Sequence, residues 1–249
     1  MEPAAPSPVA VSEVLPVSTA RETSGDRAAL LLSRVRPVSS AALREVLKEL
    51  SASHLAPPGD QLDQNPLQYE LPGGGMVSIQ VSAAPASDLL ERLDRLPWPA
   101  PERTAVRTHT AQLQLRIEES SLPLTERKRA LTQLAAALLE TTGAVGVHWP
   151  DADTLHRPST FRALARRAHE ALPVRLWVAL RIERGATVRV HTNGMRALDR
   201  PELVITAPES GLAEAVTRCF EWAQRIVLEP TDTPPSAVYS SSDLLSIPL

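Results

Sequence analysis

Apolar and polar residues alternate most clearly over residues 108–117. Ala111, Leu113, Leu115 and Ile117 take one side, and Gln112, Gln114 and Arg116 the other. That period of two predicts a strand with one buried face. His109 shares the phase of the apolar side at the strand's entrance. A helical pattern follows, with Leu131, Leu134, Ala135, Leu138 and Leu139 on one stripe. Glu126 suits the positive end of that helix, Thr125 offers a cap and Gly143 a left-handed stop. The short apolar run 144–147 then predicts a buried strand, where Gly146 admits close approach of a neighbour.

Upstream, the continuous apolar run over 28–35 predicts a central strand broken by Pro37. Ser39 or Ser40 caps a helix whose stripe is Leu43, Val46, Leu47 and Leu50, and 56–66 is a loop. Segments 68–71 and 76–81 flank Pro72 and three glycines, Gly73, Gly74 and Gly75, which predicts a β-hairpin. A phosphate-cradling loop would need a helix after the glycines and a Lys-Ser/Thr pair. A helix starting at Ser87 or Asp88 buries Leu89, Leu90 and Leu93 and ends at Pro97.

Downstream, 150–158 is a turn-rich connection with a short strand at 154–155. Pro158 opens a helix with Phe161, Leu164, Ala165 and Ala168 inside and Arg162, Arg166 and Arg167 outside. Leu176, Val178, Leu180 and Ile182 alternate as a long strand that turns at Arg184-Gly185 into Val188 and Val190. Asn193-Gly194 is a turn, 203–206 a strand, and the last helix buries Leu212, Val216, Cys219, Ala223 and Ile226. The first six elements read β-α-β-β-α-β, the ferredoxin-like order. The expected class is α+β, a mixed, mostly antiparallel sheet with packed helices, the first half fused to a second α/β half. One domain over 27–229 is expected, with any join between fused halves near 120. Proline- and serine-rich arms over 1–26 and 230–249 are expected to be disordered.

Apolar residues make up 43% of the chain and aromatics 3%, so the core is aliphatic with Trp98, Trp149, Trp177 and Trp222 as rare large fillers. The net charge of −3 offers no basic field for nucleic acid and no acidic tail. Lys48 and Lys128 are the only lysines. The one cysteine, Cys219, excludes an internal disulfide and sits on an apolar stripe, as a buried small hydrophobe does. No run approaches a membrane span, and the acidic, proline-broken start is unlike a signal peptide, so a cytoplasmic protein is expected.

Candidate chemistry is sparse. His148, Asp151, Asp153 and His156 are metal-ligand types, and a tight turn would bring them together. Their spacing matches no helical zinc motif, and aspartates in a turn also cap backbone amides. His109 is a general-base candidate if it faces a pocket, and His148 and Asp151 complete the catalytic candidates. No G-x-S-x-G elbow is present.

Four stretches carry a family likeness: ALLLSRVRPVSSAALREVL, GGGMVSIQVSAAPAS, LTQLAAALLETTGAVGVHWP, and LPVRLWVALRIER with the following HTNGMRAL. They resemble the bacterial family catalogued as domain of unknown function 4261. The resemblance implies that family's fold and a bacterial source, and it carries no catalytic residues. Relatives more often have an aromatic residue where this chain has His148. The expected function is a non-catalytic protein-binding or accessory module of a bacterial cytosolic system, with a protein partner and neither nucleic acid nor membrane insertion. The alternative is a metal-dependent or acid/base hydrolase using His109 and the 148–156 segment. No cofactor and no oligomeric state is legible.

Overall fold

Pro8 and Pro16 bracket a stretch in which every residue can give both backbone groups to a ladder, and the first strand, β1 (Ala10–Leu15), lies within it. This corrects the arm expected over 1–26 at those positions. The computed structural model describes residues 10–15, 26–58, 65–71, 73–83, 85, 89–94, 96–118 and 121–228. The tail expected over 230–249 lies outside them, as do the helix starts expected at Ser87 or Asp88. The chain divides into two compact units: a larger one, Arg21–Trp177, and a smaller one built from Met1–Ala20 with Val178–Leu249. The division therefore falls after Trp177, not near 120.

The larger unit follows the order β2 (Asp26–Leu32), α1 (Ser40–Glu49), β3 (Leu67–Glu70), β4 (Met76–Ser82), α2 (Leu90–Leu93), α3 (Ala100–Arg107) and β5 (Ala111–Glu118). It continues through α4 (Leu124–Thr142), β6 (Gly146–Trp149), β7 (Thr154–His156), α5 (Pro158–Ala165) and the single turn α6 (Val174–Trp177). Its six strands form one sheet in the order β3-β4-β5-β2-β6-β7, and every ladder is antiparallel. The element order expected of the first half is present, but the ferredoxin-like sheet is not. A split βαβ unit makes the first strand parallel to a neighbour. Here β5 pairs antiparallel with both β4 and β2 and lies between them.

One face of this sheet makes the core. Ala28, Leu30 and Leu32 of β2 and Leu113, Leu115 and Ile117 of β5 are buried, and β2 packs against α4, which packs against α1. Ser39 caps α1 by accepting from the Ala42 amide at 3.3 Å. Helix α4 starts after Pro123 with no side-chain cap, so Thr125 does not serve as one, and it stops at Gly143, whose φ is 66°. The three glycines of the β3–β4 hairpin have φ between 89° and 116°, as a tight turn requires. Helix α3 was not expected from the apolar pattern. Its signals are Pro101 near its start, Glu102 in its first turn and Arg107 in its last.

The expected strand over 176–182 is displaced. Pro173 begins the helical turn α6, and the Trp177 indole N–H donates to the Thr132 hydroxyl at 2.9 Å, holding that turn in the larger unit's core. The strand starts only at Ala179. The smaller unit holds β8 (Ala179–Arg184), β9 (Val188–Asn193), β10 (Glu202–Ala207) and α7 (Leu212–Leu228), with a four-stranded antiparallel sheet ordered β1-β10-β9-β8. Helix α7 packs on β9 and β10. Both units combine helices with antiparallel sheet, so the protein is α+β. Among the described residues no helix is long and apolar enough to cross a membrane.

Candidate functional site

Strand alternation that buries Leu113 and Leu115 must turn Gln112, Gln114 and Arg116 to the opposite face of the six-stranded sheet. The register then builds that face row by row. Gln68 lies opposite Ser78, Ser78 opposite Arg116, and Arg116 opposite Arg27. In the next row Gln80 faces Gln114, Gln114 faces Ala29, and Ala29 faces His148. In the third row Ser82 faces Gln112, Gln112 faces Leu31, and Leu31 faces Gly146.

Apolar side chains close one end of this face. Leu31, Leu89, Leu93, Trp98, Val106 and Leu155 form a buried cluster there. A Cβ on Gly146 would meet the side chains of Val106, Leu155 and Leu31 at 3.4–3.5 Å, ordinary van der Waals contact, so this position lies directly against the cluster where helix α3 meets the sheet. The rest of the face is an open groove of about 470 Å³. Ala29 contributes apolar floor; Gln68, Ser78, Gln80, Gln112 and Gln114 line it with amides and a hydroxyl; Arg27, Arg116, Glu118 and His148 add titratable or charged groups. Arg116 Nε lies 3.0 Å from Glu118 Oε1, whereas Arg27 has no ion-pair partner among the described residues.

A second polar cluster is buried on the core side. Lys128 is 1% exposed, on the same helical phase as Leu131 and Ala135. Its Nζ lies 2.8 Å from Asp26 Oδ1, forms an ion pair with Asp151, and stands 5.9 Å from the centre of the Trp149 ring. Arg127 Nε donates to Asp26 Oδ2 at 2.7 Å and its Nη1 to the Leu122 carbonyl. Two carboxylates and two cations thus balance, as buried charges must. The cluster ties the start of α4 to the start of β2 and the exit of β6.

The candidates in 148–156 are dispersed between these places. His148 faces the groove, half-buried. Asp151 turns to Lys128. Asp153 ends the 3-10 turn Pro150–Ala152 in left-handed conformation, φ 54°. His156 is opposite Val147 on the core side, its Nε2 donating to the Leu176 carbonyl at 3.0 Å. Burial pushes its imidazole down to about 4; the Leu176 hydrogen bond acts the other way, and His148 adds to the lowering. Among the described residues no three His, Cys, Asp or Glu side chains group as metal ligands. His148 and His156 part because the β6–β7 register sets them on opposite faces, while Asp151 and Asp153 lie in the turn between the strands, Asp151 drawn to Lys128.

His109 is 4% exposed and outside the groove, with Nδ1 2.5 Å from the Val106 carbonyl at the end of α3. It closes a helix rather than lining the open face. Arg162 and Arg166 both reach Glu140, at 3.9 and 3.3 Å, which mutes the basic helical face. In the smaller unit, burial pushes the Cys219 thiol up to about 12, with Glu202 adding to the rise. Glu202 itself is buried and accepts from Thr192 Oγ1 at 2.6 Å and from the Gly194 and Arg196 amides at 3.0 and 3.2 Å. These bonds make it the fastener of the turn that follows β9.

No protein-family model, curated protein or solved structure matches the chain. The functional reading therefore rests on the chemistry of the groove and the buried cluster.

Proposed function

We propose that the protein is a non-catalytic binding module, and that the open sheet face of its larger unit takes an extended acidic segment of a protein partner. The observation that carries this is the pairing of Arg27 directly opposite Arg116. Like charges on facing positions of neighbouring strands destabilise a sheet. An anionic side chain lying between the two guanidiniums removes that repulsion and gains charge-assisted hydrogen bonds. Beside them, Gln68, Gln80 and Gln114 present amides that donate to and accept from a peptide backbone. The buried cluster offers nothing comparable, because each of its charges is already met. A bacterial, cytosolic setting and kinship with the family of unknown function belong to the same proposal.

Calorimetric titration with an extended peptide of alternating Glu and Ser, beside its Gln-for-Glu counterpart, tests the reading. The acidic peptide is expected to bind at least about tenfold more tightly, a difference of roughly 1.4 kcal/mol. An Arg27→Glu/Arg116→Glu chain that keeps its circular dichroism should lose that preference. Equal binding of both peptides, or an unchanged preference in the double variant, would rule the site out. The metal-dependent form of the competing hydrolase reading would require tightly held metal in the purified protein, and less than about a tenth of an equivalent counts against that form, whereas the acid/base form needs no metal.

A further inference from the structure

Strand β8 is an edge of the smaller unit's sheet, and its outer half, Arg181, Ile182, Glu183 and Arg184, is exposed. An edge strand presents unpaired N–H and C=O groups that another strand can take up. Ile182 lies opposite Val190, on the side of the sheet that α7 covers, yet it is 46% exposed while Val190 is 0%. The core face therefore runs past the helix and ends in uncovered isoleucine. On the other side of the same strand stand Arg181 and Glu183.

We propose that β8 pairs with β8 of a second copy of this chain, antiparallel, about a two-fold axis through Ile182. In that register Ile182 meets Ile182 of the second copy. Arg181 meets Glu183 of that copy, and Glu183 meets its Arg181. The sequence Arg-Ile-Glu is thus complementary to itself in charge and in apolar contact, and it is so only with Ile182 at the centre. Farther out, Leu180 meets Arg184 of the second copy, whereas centring the axis on Arg181 or on Glu183 would set charges of one sign against each other at the axis itself. Pairing joins the two four-stranded sheets into one of eight strands and extends the α7-covered core across the junction. Opposite charges on facing strand positions are favourable and like charges unfavourable. A single strand edge is a small interface, so association falls in the micromolar range or weaker. Glu183 also lies 3.7 Å from Arg189 and 3.8 Å from His191 within its own chain, contacts that stay on the β9 side.

Sedimentation velocity of the full chain tests this, from about 5 to 300 µM to span that range. The wild type should move from monomer toward dimer across it. Arg181→Glu sets Glu against Glu, and Glu183→Arg sets Arg against Arg, each at two symmetric contacts. Each variant should weaken dimerisation about tenfold or more. The double variant Arg181→Glu/Glu183→Arg restores both pairs and should recover dimerisation. An equimolar mixture of the two single variants should form a heterodimer that neither forms alone, which also guards against a variant that simply fails to fold. A wild type that stays monomeric at the highest concentration overturns the proposal. So does a mixture no more dimeric than its components. Neither result bears on peptide binding by the larger unit.

Discussion

Asp26 and Arg27 are neighbours in sequence and lie on opposite faces of β2, and their surroundings could hardly differ more. Asp26 is buried and held by Lys128 and Arg127. Arg27 is exposed and stands opposite another arginine. The histidines of the β6–β7 hairpin divide in the same way. His156 lies on the core side, enclosed and kept neutral; His148 lies on the groove side. The core face has its charges matched within the fold; on the open face Arg116 meets Glu118, and Arg27 stands without an ion-pair partner among the described residues. A polar residue on the core face is therefore expected to act on stability, and under the proposed function one on the open face acts on recognition.

The largest test of that division is Lys128→Met. It leaves Asp26 and Asp151 without their shared cation in a buried place and should cost about 3–5 kcal/mol in a urea titration. A loss below about 1 kcal/mol would mean that the core-face charges matter no more than surface pairs do.

Acidification comes next. The folded-state value of His156 lies below the ordinary 6.5, so the unfolded chain takes up the proton first as pH falls. Stability due to the neutral ring is complete above about pH 6.5 and is lost as pH falls toward 4, by at most about 3 kcal/mol. Comparing denaturation midpoints at pH 7 and pH 4.5, the wild type should lose more than His156→Gln does. Equal losses would take His156 out of the core-face group.

The smallest effect belongs to the open face. Arg27→Gln and Arg116→Gln should each leave stability within about 0.5 kcal/mol of wild type; Arg27→Gln falls on the stabilising side because it removes a like-charge contact, whereas Arg116→Gln also gives up the exposed pair with Glu118. A clear loss of stability in either variant would show that the open face is also structural.

Local pattern made much of this fold legible. Period-two alternation placed β5, helical spacing placed α4 and α7, and the glycine run placed the β3–β4 hairpin. Long-range pairing was not legible in the same way. Nothing local says that β5 lies between β4 and β2, so the β-α-β-β-α-β order suggested the wrong sheet. The groove was half visible: Gln112, Gln114 and Arg116 were on the polar side of their strand, but their partners on β4 and β2 depend on register. The buried cluster had a signal in Lys128, a lysine in phase with an apolar stripe and one of only two in the chain. The 148–156 residues failed as a set for a geometric reason. The hairpin register sends His148 and His156 to opposite faces, and the turn between them gives Asp151 to Lys128.

The strand β1 has a consequence for how the protein is made. Its partner in the sheet is β10, with Leu15 opposite Glu202, and the whole larger unit is threaded between them. Emerging from the ribosome, the chain delivers β1 first and the other strands of its sheet last. The larger unit, one continuous segment, is complete and free to fold before β8, β9 and β10 exist. Throughout that interval β1 is a strand without a sheet, and closing it against β10 is a late, long-range step.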